Sequence, residues 1–207
     1  MAAAGIAAAR RPVILGGYGA LQAEAWDELG AFAGKTQIPV AWTLLGIGVI
    51  DERHPLAYGF MGMHGWKHVN RAIQSADLLI AVGMRFDDRA TGNVRTYAPY
   101  ARIVHVDIDP AEIGKNVAVE VPIVGDAGRV LRALTPMVAA VEPATRPDYF
   151  AQLAEWKAAS DPSSWHGSGA WPDGMPPAAS VLDRTGPPAH PAAHHSRRVR
   201  HAPNVRG

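Results

Sequence analysis

The sequence predicts an α/β fold, a doubly wound and mainly parallel sheet, and three observations carry that expectation. Short apolar runs alternate with helical patterns up to about Val141, the order of strand, loop and helix that right-handed crossovers produce. Leu78-Leu79-Ile80-Ala81-Val82 is apolar without interruption, as befits a strand covered on both faces. Several of these runs end in glycines or acids, at the strand ends where an open parallel sheet binds its ligands.

The elements follow in order. Met1 to Arg11 places its basic residues after the apolar stretch, so it reads as the end of a helix and not as a secretory signal. Val13-Ile14-Leu15 is a strand ending in Gly16-Gly17-Tyr18-Gly19, and Leu21, Ala25, Leu29 and Phe32 recur at helical spacing behind it. Ile38-Pro39-Val40-Ala41 is a second strand. Met61-Gly62-Met63-His64-Gly65 then opens a helix marked by Val69 and Ile73. After the strand at Leu78, Ile103-Val104-His105-Val106 and Val121-Pro122-Ile123-Val124 supply two more. Val130, Leu134, Met137, Val138 and Val141 mark a last helix, with Asp126 as its N-cap.

Composition limits what the chain does. Its 207 residues, 48% of them hydrophobic, suit one ordinary domain with an appendage. A net charge of +1 points to neither nucleic acid nor an anionic membrane, and no run approaches the ~20 apolar residues of a membrane span. Cysteine is absent, which excludes disulfides, zinc-thiolate sites and thiol catalysis and fits a cytoplasmic setting. We expect a cofactor-binding domain over residues 1–141 and a linker over 142–160, helical at 149–159. A Pro/Arg/His-rich tail follows over 161–207. Ten of the 17 prolines fall in residues 143–207, and a segment so poor in apolar periodicity is expected to be disordered. It reads either as a solvated end or as a basic tail for anionic partners.

The unusual residues gather at strand ends. Gly17-Tyr18-Gly19 suits backbone N–H groups approaching a phosphate. Gln22 stands where a dinucleotide fingerprint has its third glycine, and Trp42-Thr43 where NAD requires a ribose-binding acid. Gly62 and Gly65 bring backbone close to a ligand. His64 and His68 have a metal-binding spacing but no third ligand in the motif, so no metal site is assigned. Gly83-Met84-Arg85-Phe86-Asp87-Asp88-Arg89 crowds four charges at the end of a buried strand, where they require pairing or a ligand. Either an ion-pair knot or a clamp for pyrophosphate or hydroxyl groups answers that need. Asp107-Ile108-Asp109-Pro110 and Gly125-Asp126-Ala127 repeat the acidic theme one and two strands later. No serine elbow or paired nucleophile and base is visible, so no catalytic residue is assigned. On residues alone, a non-catalytic FAD- or NAD-binding module and an NAD-dependent enzyme both remain open.

From about Arg11 to Leu134 these segments together resemble the central domain of the acetolactate synthase (acetohydroxyacid synthase) large subunit, a thiamine-diphosphate enzyme. The resemblance rests on Pro12-Val13-Ile14-Leu15, Thr43-Leu44-Leu45-Gly46-Ile47-Gly48-Val49-Ile50, Gly62-Met63-His64-Gly65 and Ala76-Asp77-Leu78-Leu79-Ile80-Ala81-Val82-Gly83. Arg85-Phe86-Asp87-Asp88-Arg89-Ala90-Thr91-Gly92, Asp107-Ile108-Asp109-Pro110-Ala111-Glu112-Ile113-Gly114-Lys115-Asn116 and Val121-Pro122-Ile123-Val124-Gly125-Asp126 complete it. It implies a Rossmann-like parallel sheet of about six strands that holds FAD as a structural cofactor. The implied FAD contacts are Gly17, Gly19, Thr43, Leu44, Gly62, Met63, His64, Gly83, Arg85, Asp87, Arg89, Asp107, Ile108, Asp126 and Ala127. Tyr18 departs from the family's run of three glycines.

The resemblance further implies pyruvate as substrate, joined on thiamine diphosphate to a second 2-keto acid, pyruvate or 2-ketobutyrate, for branched-chain amino acid synthesis. The thiamine diphosphate and Mg²⁺ sites belong to outer domains without a counterpart in these 207 residues, and Gly125-Asp126-Ala127-Gly128 is not the Mg²⁺ motif. The expectation is therefore a truncated or frame-disrupted product, its frame broken after Trp156. Such a product is inactive alone and completed by other synthase domains or subunits.

Overall fold

The computed structural model describes residues 1–160; the expectations for the tail, disorder and a broken frame included, fall on residues outside them. The described residues form one unit, Met1–Ser160. The chain runs through α1 (Ala2–Ala8), β1 (Pro12–Gly16), α2 (Tyr18–Gln22), α3 (Trp26–Thr36), β2 (Val40–Trp42) and β3 (Ala57–Phe60). It continues through α4 (Lys67–Gln74), β4 (Leu78–Val82), α5 (Asp88–Thr91), β5 (Arg102–Asp107), β6 (Val121–Val124), α6 (Ala127–Leu134) and α7 (Pro147–Ala158). Six strands lie in the order β3-β2-β1-β4-β5-β6, and every pairing is parallel. The expected α/β, doubly wound sheet is what forms.

Alternation along the central strands builds two cores. Ile14, Leu78, Ile80, Val82 and Val104 face one side, against Ile6, Leu29, Phe32, Leu131 and Leu134. Val13, Leu15, Leu79, Ala81 and Ile103 face the other, against Val69, Ile73, Phe86, Tyr149 and Leu153. Helices α1, α3 and α6 therefore cover one face, and α4 and α7 the other. All five residues of β4 are buried because it sits in the middle with helices on both sides.

Four local differences from the sequence reading have physical causes. The helix expected through Leu21, Ala25, Leu29 and Phe32 is two, because Glu24 adopts φ +51° and ends α2. Ala25, Leu29 and Phe32 still share the buried face. Strand β2 starts at Val40, not Ile38, because α3 ends in a left-handed Gln37 (φ +50°) and the chain needs Ile38 and Pro39 to straighten. Helix α4 starts at Lys67, after the 61–65 loop has turned. Helix α6 stops at Leu134; Pro136 has no N–H to extend it, and the chain passes into a 3₁₀ turn that leaves Met137 exposed. Strand β3 is an edge strand with a register shift opposite Val40 and Ala41.

The helix at the end is packed, not tethered. Arg146, just before α7, donates from Nε to Ala9 O (3.1 Å) and from one terminal nitrogen to Thr36 O (3.1 Å) and Gln37 O (3.3 Å). Tyr149 OH donates to Pro12 O (3.2 Å), and Tyr58 OH donates to Leu153 O (2.9 Å). Among the described residues no helix is long and apolar enough to cross a membrane.

Candidate functional site

Strand order reverses between β1 and β4: β2 and β3 follow on one side of β1, and β5 and β6 on the other side of β4. The loops leaving these two strands therefore part, and a crevice opens beyond their C-terminal ends. It is a cleft of about 280 Å³ lined by Gly19, Gln22, Ala23, Gly83, Val106, Asp107, Ile108, Gly125, Asp126 and Ala127. Six of the fifteen expected contact residues, Gly19, Gly83, Asp107, Ile108, Asp126 and Ala127, line it together.

Backbone bonds extend the sheet into these loops. Gly17 N–H donates to Val82 O (2.9 Å), Gly19 N–H to Gly83 O (3.0 Å), and Gly83 N–H to Val106 O (2.8 Å). Two of the N–H groups expected to face a phosphate, those of Gly17 and Gly19, are thus engaged within the chain. The glycines have an internal reason as well. A Cβ on Gly17 would collide with Gly83 O, and one on Gly19 would lie 2.8 Å from Gly83 Cα. The absence of side chains lets the β1–α2 loop rest on the β4–α5 loop. Tyr18 is about half exposed.

Asp107, the last residue of β5, is buried, and its Oδ1 accepts from Asp109 N–H (2.9 Å) while Oδ2 makes no backbone bond among the described residues. Asp126 caps α6, as expected, by accepting from Arg129 N–H (2.9 Å). Both residues line the cleft, and the 70%-exposed Ile108 supplies an apolar surface beside them.

The charged turn after β4 behaves differently from the expectation. Gly83 (φ +62°) and Phe86 (φ +53°) bend the chain so that Met84 and Phe86 are buried while Arg85, Asp87, Asp88 and Arg89 face outward. Exposed charges incur little desolvation cost. Among the described residues no ion pair joins the two arginines to the two aspartates. The ion-pair knot is therefore excluded, and burial no longer requires a ligand there. Asp87 instead caps α5, accepting from Ala90 N–H (3.0 Å).

A second group sits toward β2 and β3. Thr43 N–H donates to Gly16 O (3.0 Å), and the following 3₁₀ turn, Leu44–Gly46, leaves Leu44 63% exposed. Met63 N–H donates to Arg89 O (2.9 Å), stitching the β3–α4 loop to α5, and Met63 and His64 are exposed. Gly62 needs its glycine: φ is +104°, and a Cβ would meet Arg89 O at 2.8 Å. The two histidines with metal-binding spacing separate, His64 in the loop and His68 buried on α4. The His68 Nε2–H donates to Tyr58 O (3.1 Å), and burial holds its pKa below the ordinary value against the opposing pull of that carbonyl. Among the described residues no group of three His, Asp or Glu side chains could hold a metal ion.

Two positioning residues escaped the sequence reading. Asn70 on α4 clips Gly62 from both sides, Oδ1 accepting from its N–H (3.0 Å) and Nδ2 donating to its carbonyl (2.8 Å). His105, fully buried in β5, donates from Nε2 to Met84 O (2.8 Å), and burial lowers its pKa although that carbonyl, Asp107 and Glu112 pull the other way. A polar ring inside an apolar strand demands a partner, so His105 carried a usable signal. Nothing in the pattern around Asn70 did.

Comparison with known proteins identifies the family. The profile of "Thiamine pyrophosphate enzyme, central domain" matches residues 1–134. The chain is 49% identical over 157 residues to the probable acetolactate synthase large subunit of Methanocaldococcus jannaschii, covering 76% of this chain and 27% of that protein. It is 50% identical over 151 residues to the acetolactate synthase large subunit of Corynebacterium glutamicum, covering 73% of this chain and 23% of that protein. The chain thus spans about a quarter of the length of these curated relatives. With a match over most of its described residues, on the parallel sheet found here, the chain belongs to the thiamine pyrophosphate enzyme central-domain family.

Proposed function

We propose that this chain is the FAD-holding central domain of a cytoplasmic acetolactate synthase. In such an enzyme one pyruvate loses CO₂ and its two-carbon remainder is joined to a second pyruvate or to 2-ketobutyrate. The observation that carries the cofactor assignment is the switch-point cleft, where two carboxylates, an exposed isoleucine and close-packed glycine backbone converge. Its volume lies near the lower end of the ~300–1,000 Å³ usual for small-molecule sites, so it suits one part of an extended dinucleotide.

The chemistry of these residues supports FAD as the ligand. Asp107 and Asp126 accept hydroxyls of its ribose or ribityl chain, and Gly19, Gly83 and Ala127 allow close backbone approach. Ile108, Leu44 and Met63 offer apolar surface to the rings. Arg85 and Arg89, exposed and without an ion pair among the described residues, are free to meet the pyrophosphate. Gly17, Thr43, Gly62, His64 and Asp87 shape or flank this path. Held so, FAD serves as a structural element of the enzyme. Thiamine diphosphate supplies the decarboxylation and carboligation chemistry, and we assign it and Mg²⁺ to other domains or subunits of the synthase. On this reading the chain alone does not catalyse carboligation.

The visible spectrum of the purified chain tests the proposal. Flavin absorbance co-purifying with the protein is the expected result. A colourless protein that turns over an NAD-linked substrate would favour a dehydrogenase instead.

A further inference from the structure

We infer that His105 is a positioning residue for the cofactor cleft: its imidazole locks the 83–89 loop onto β5 and so sets where Gly83 and Asp107 stand. This rests on reading the cleft as the cofactor site.

The geometry begins with a carbonyl. Past Val82 the chain leaves the sheet, and Met84 O, buried and without a strand partner, receives its hydrogen bond from His105 Nε2 at 2.8 Å. A carbonyl only accepts, so Nε2 carries the proton and Nδ1 is bare. Nδ1 is buried with no partner among the described residues. A ring kept for packing alone has no reason to bear that cost, since an aliphatic side chain like its neighbour Ile103 on the same face needs no partner. What distinguishes histidine here is the bond that Nε2 makes.

That bond falls where the backbone most needs holding. Gly83 and Phe86, either side of Met84, both adopt left-handed φ, an unfavourable conformation for phenylalanine. The Phe86 ring sits edge-on against the imidazole, centroids 5.1 Å apart at 89°. One side chain thus seats both the Met84 carbonyl and the strained residue beyond it. Two residues along β5, Asp107 points to the same side, its Oδ2 4.0 Å from His105 Nε2 and its Oδ1 bonded to Asp109 N–H. The imidazole therefore ties the loop that carries Gly83 to the strand that carries Asp107.

The test uses the full chain and the pair His105→Gln and His105→Met, matched in length and differing in the N–H donor. Amide hydrogen exchange across residues 83–92 reads the lock directly, and FAD fluorescence quenching reads its consequence. His105→Met should speed exchange in that segment and weaken FAD binding, each by about tenfold, the worth of one lost buried hydrogen bond. His105→Gln should restore both to within about threefold. Equal exchange in wild type and His105→Met, or equal disturbance in both variants, overturns the inference. If His105→Met does not fold, the ¹⁵N shifts of the wild-type imidazole decide: an Nε2–H tautomer supports the lock and an Nδ1–H tautomer refutes it. Failure of the wild type to bind FAD contradicts the cofactor assignment alone, because exchange at 83–92 still reports the lock.

Discussion

Gly83 shows how much one position carries. It turns the chain out of β4 at φ +62°, lies under Gly17 and Gly19, and lines the cleft. A Cβ there would strike the Ala20 backbone nitrogen, so neither rotation nor a side-chain shift relieves it. Gly83→Ala should destabilise the protein by about 2–4 kcal/mol, from left-handed strain plus overpacking. Gly30, inside α3 with nothing within 4 Å of where a Cβ would stand, is the matched control. Gly30→Ala should stabilise by ~0.5–1 kcal/mol. Urea denaturation of both variants checks the pair, and equal effects would contradict the packing argument. At this scale the sequence was readable where a residue has one local task. Asp126 before an amphipathic run announces a cap. The outward turn of Arg85 and Asp87 was not readable, because it depends on a left-handed Phe86 that no propensity favours.

Among elements, α7 is the instructive case. Its apolar spacing marks a helix over residues 149–159, and a helix forms at Pro147–Ala158. Its hydrogen bonds to the rest of the domain span 95 to 137 residues of sequence, which local pattern does not encode. Arg146 fastens the start of α7 to the ends of α1 and α3 through three carbonyls. Arg146→Ala should cost about 1.5–3 kcal/mol, as loss of hydrogen bonds from a charged donor does. Arg146→Lys should recover less than half, because an ammonium lacks the planar fork. Thermal melts of both variants measure this, and a wild-type melt for Arg146→Ala would show α7 to be held by its apolar face alone. An uninterrupted apolar run such as β4 was legible. Strand β3 was not, since Ala57-Tyr58-Gly59-Phe60 has no apolar alternation and carries a glycine at φ +134°.

For the molecule as a whole, the two buried histidines make stability depend on pH. His68 and His105 both titrate below the ordinary value of 6.5 in the folded chain, chiefly because burial disfavours the charged ring. In the unfolded chain they take up protons first as pH falls. Their contribution is therefore complete above about pH 6.5 and lost as pH drops through the lowered folded values. Denaturation free energies measured between about pH 7 and pH 5 should fall with acid, and the fall should be shallower in His68→Gln/His105→Gln. An unchanged slope in that variant would assign the acid sensitivity to carboxylates. The doubly wound sheet was legible because both of its causes, alternation and full burial of β4, are written in the order of residues. The cleft was legible as a place, the strand ends, together with six of its lining residues; that they meet in one crevice follows from the order of strands in the sheet.

Whether the switch-point cleft holds FAD is tested most directly by a fluorescence titration of FAD with the full chain. Saturable quenching at one site per chain is expected, weakened at least tenfold by Asp107→Ala through the loss of about one hydrogen bond to a charged acceptor. Quenching that does not saturate, or affinity indifferent to Asp107, would contradict the assignment.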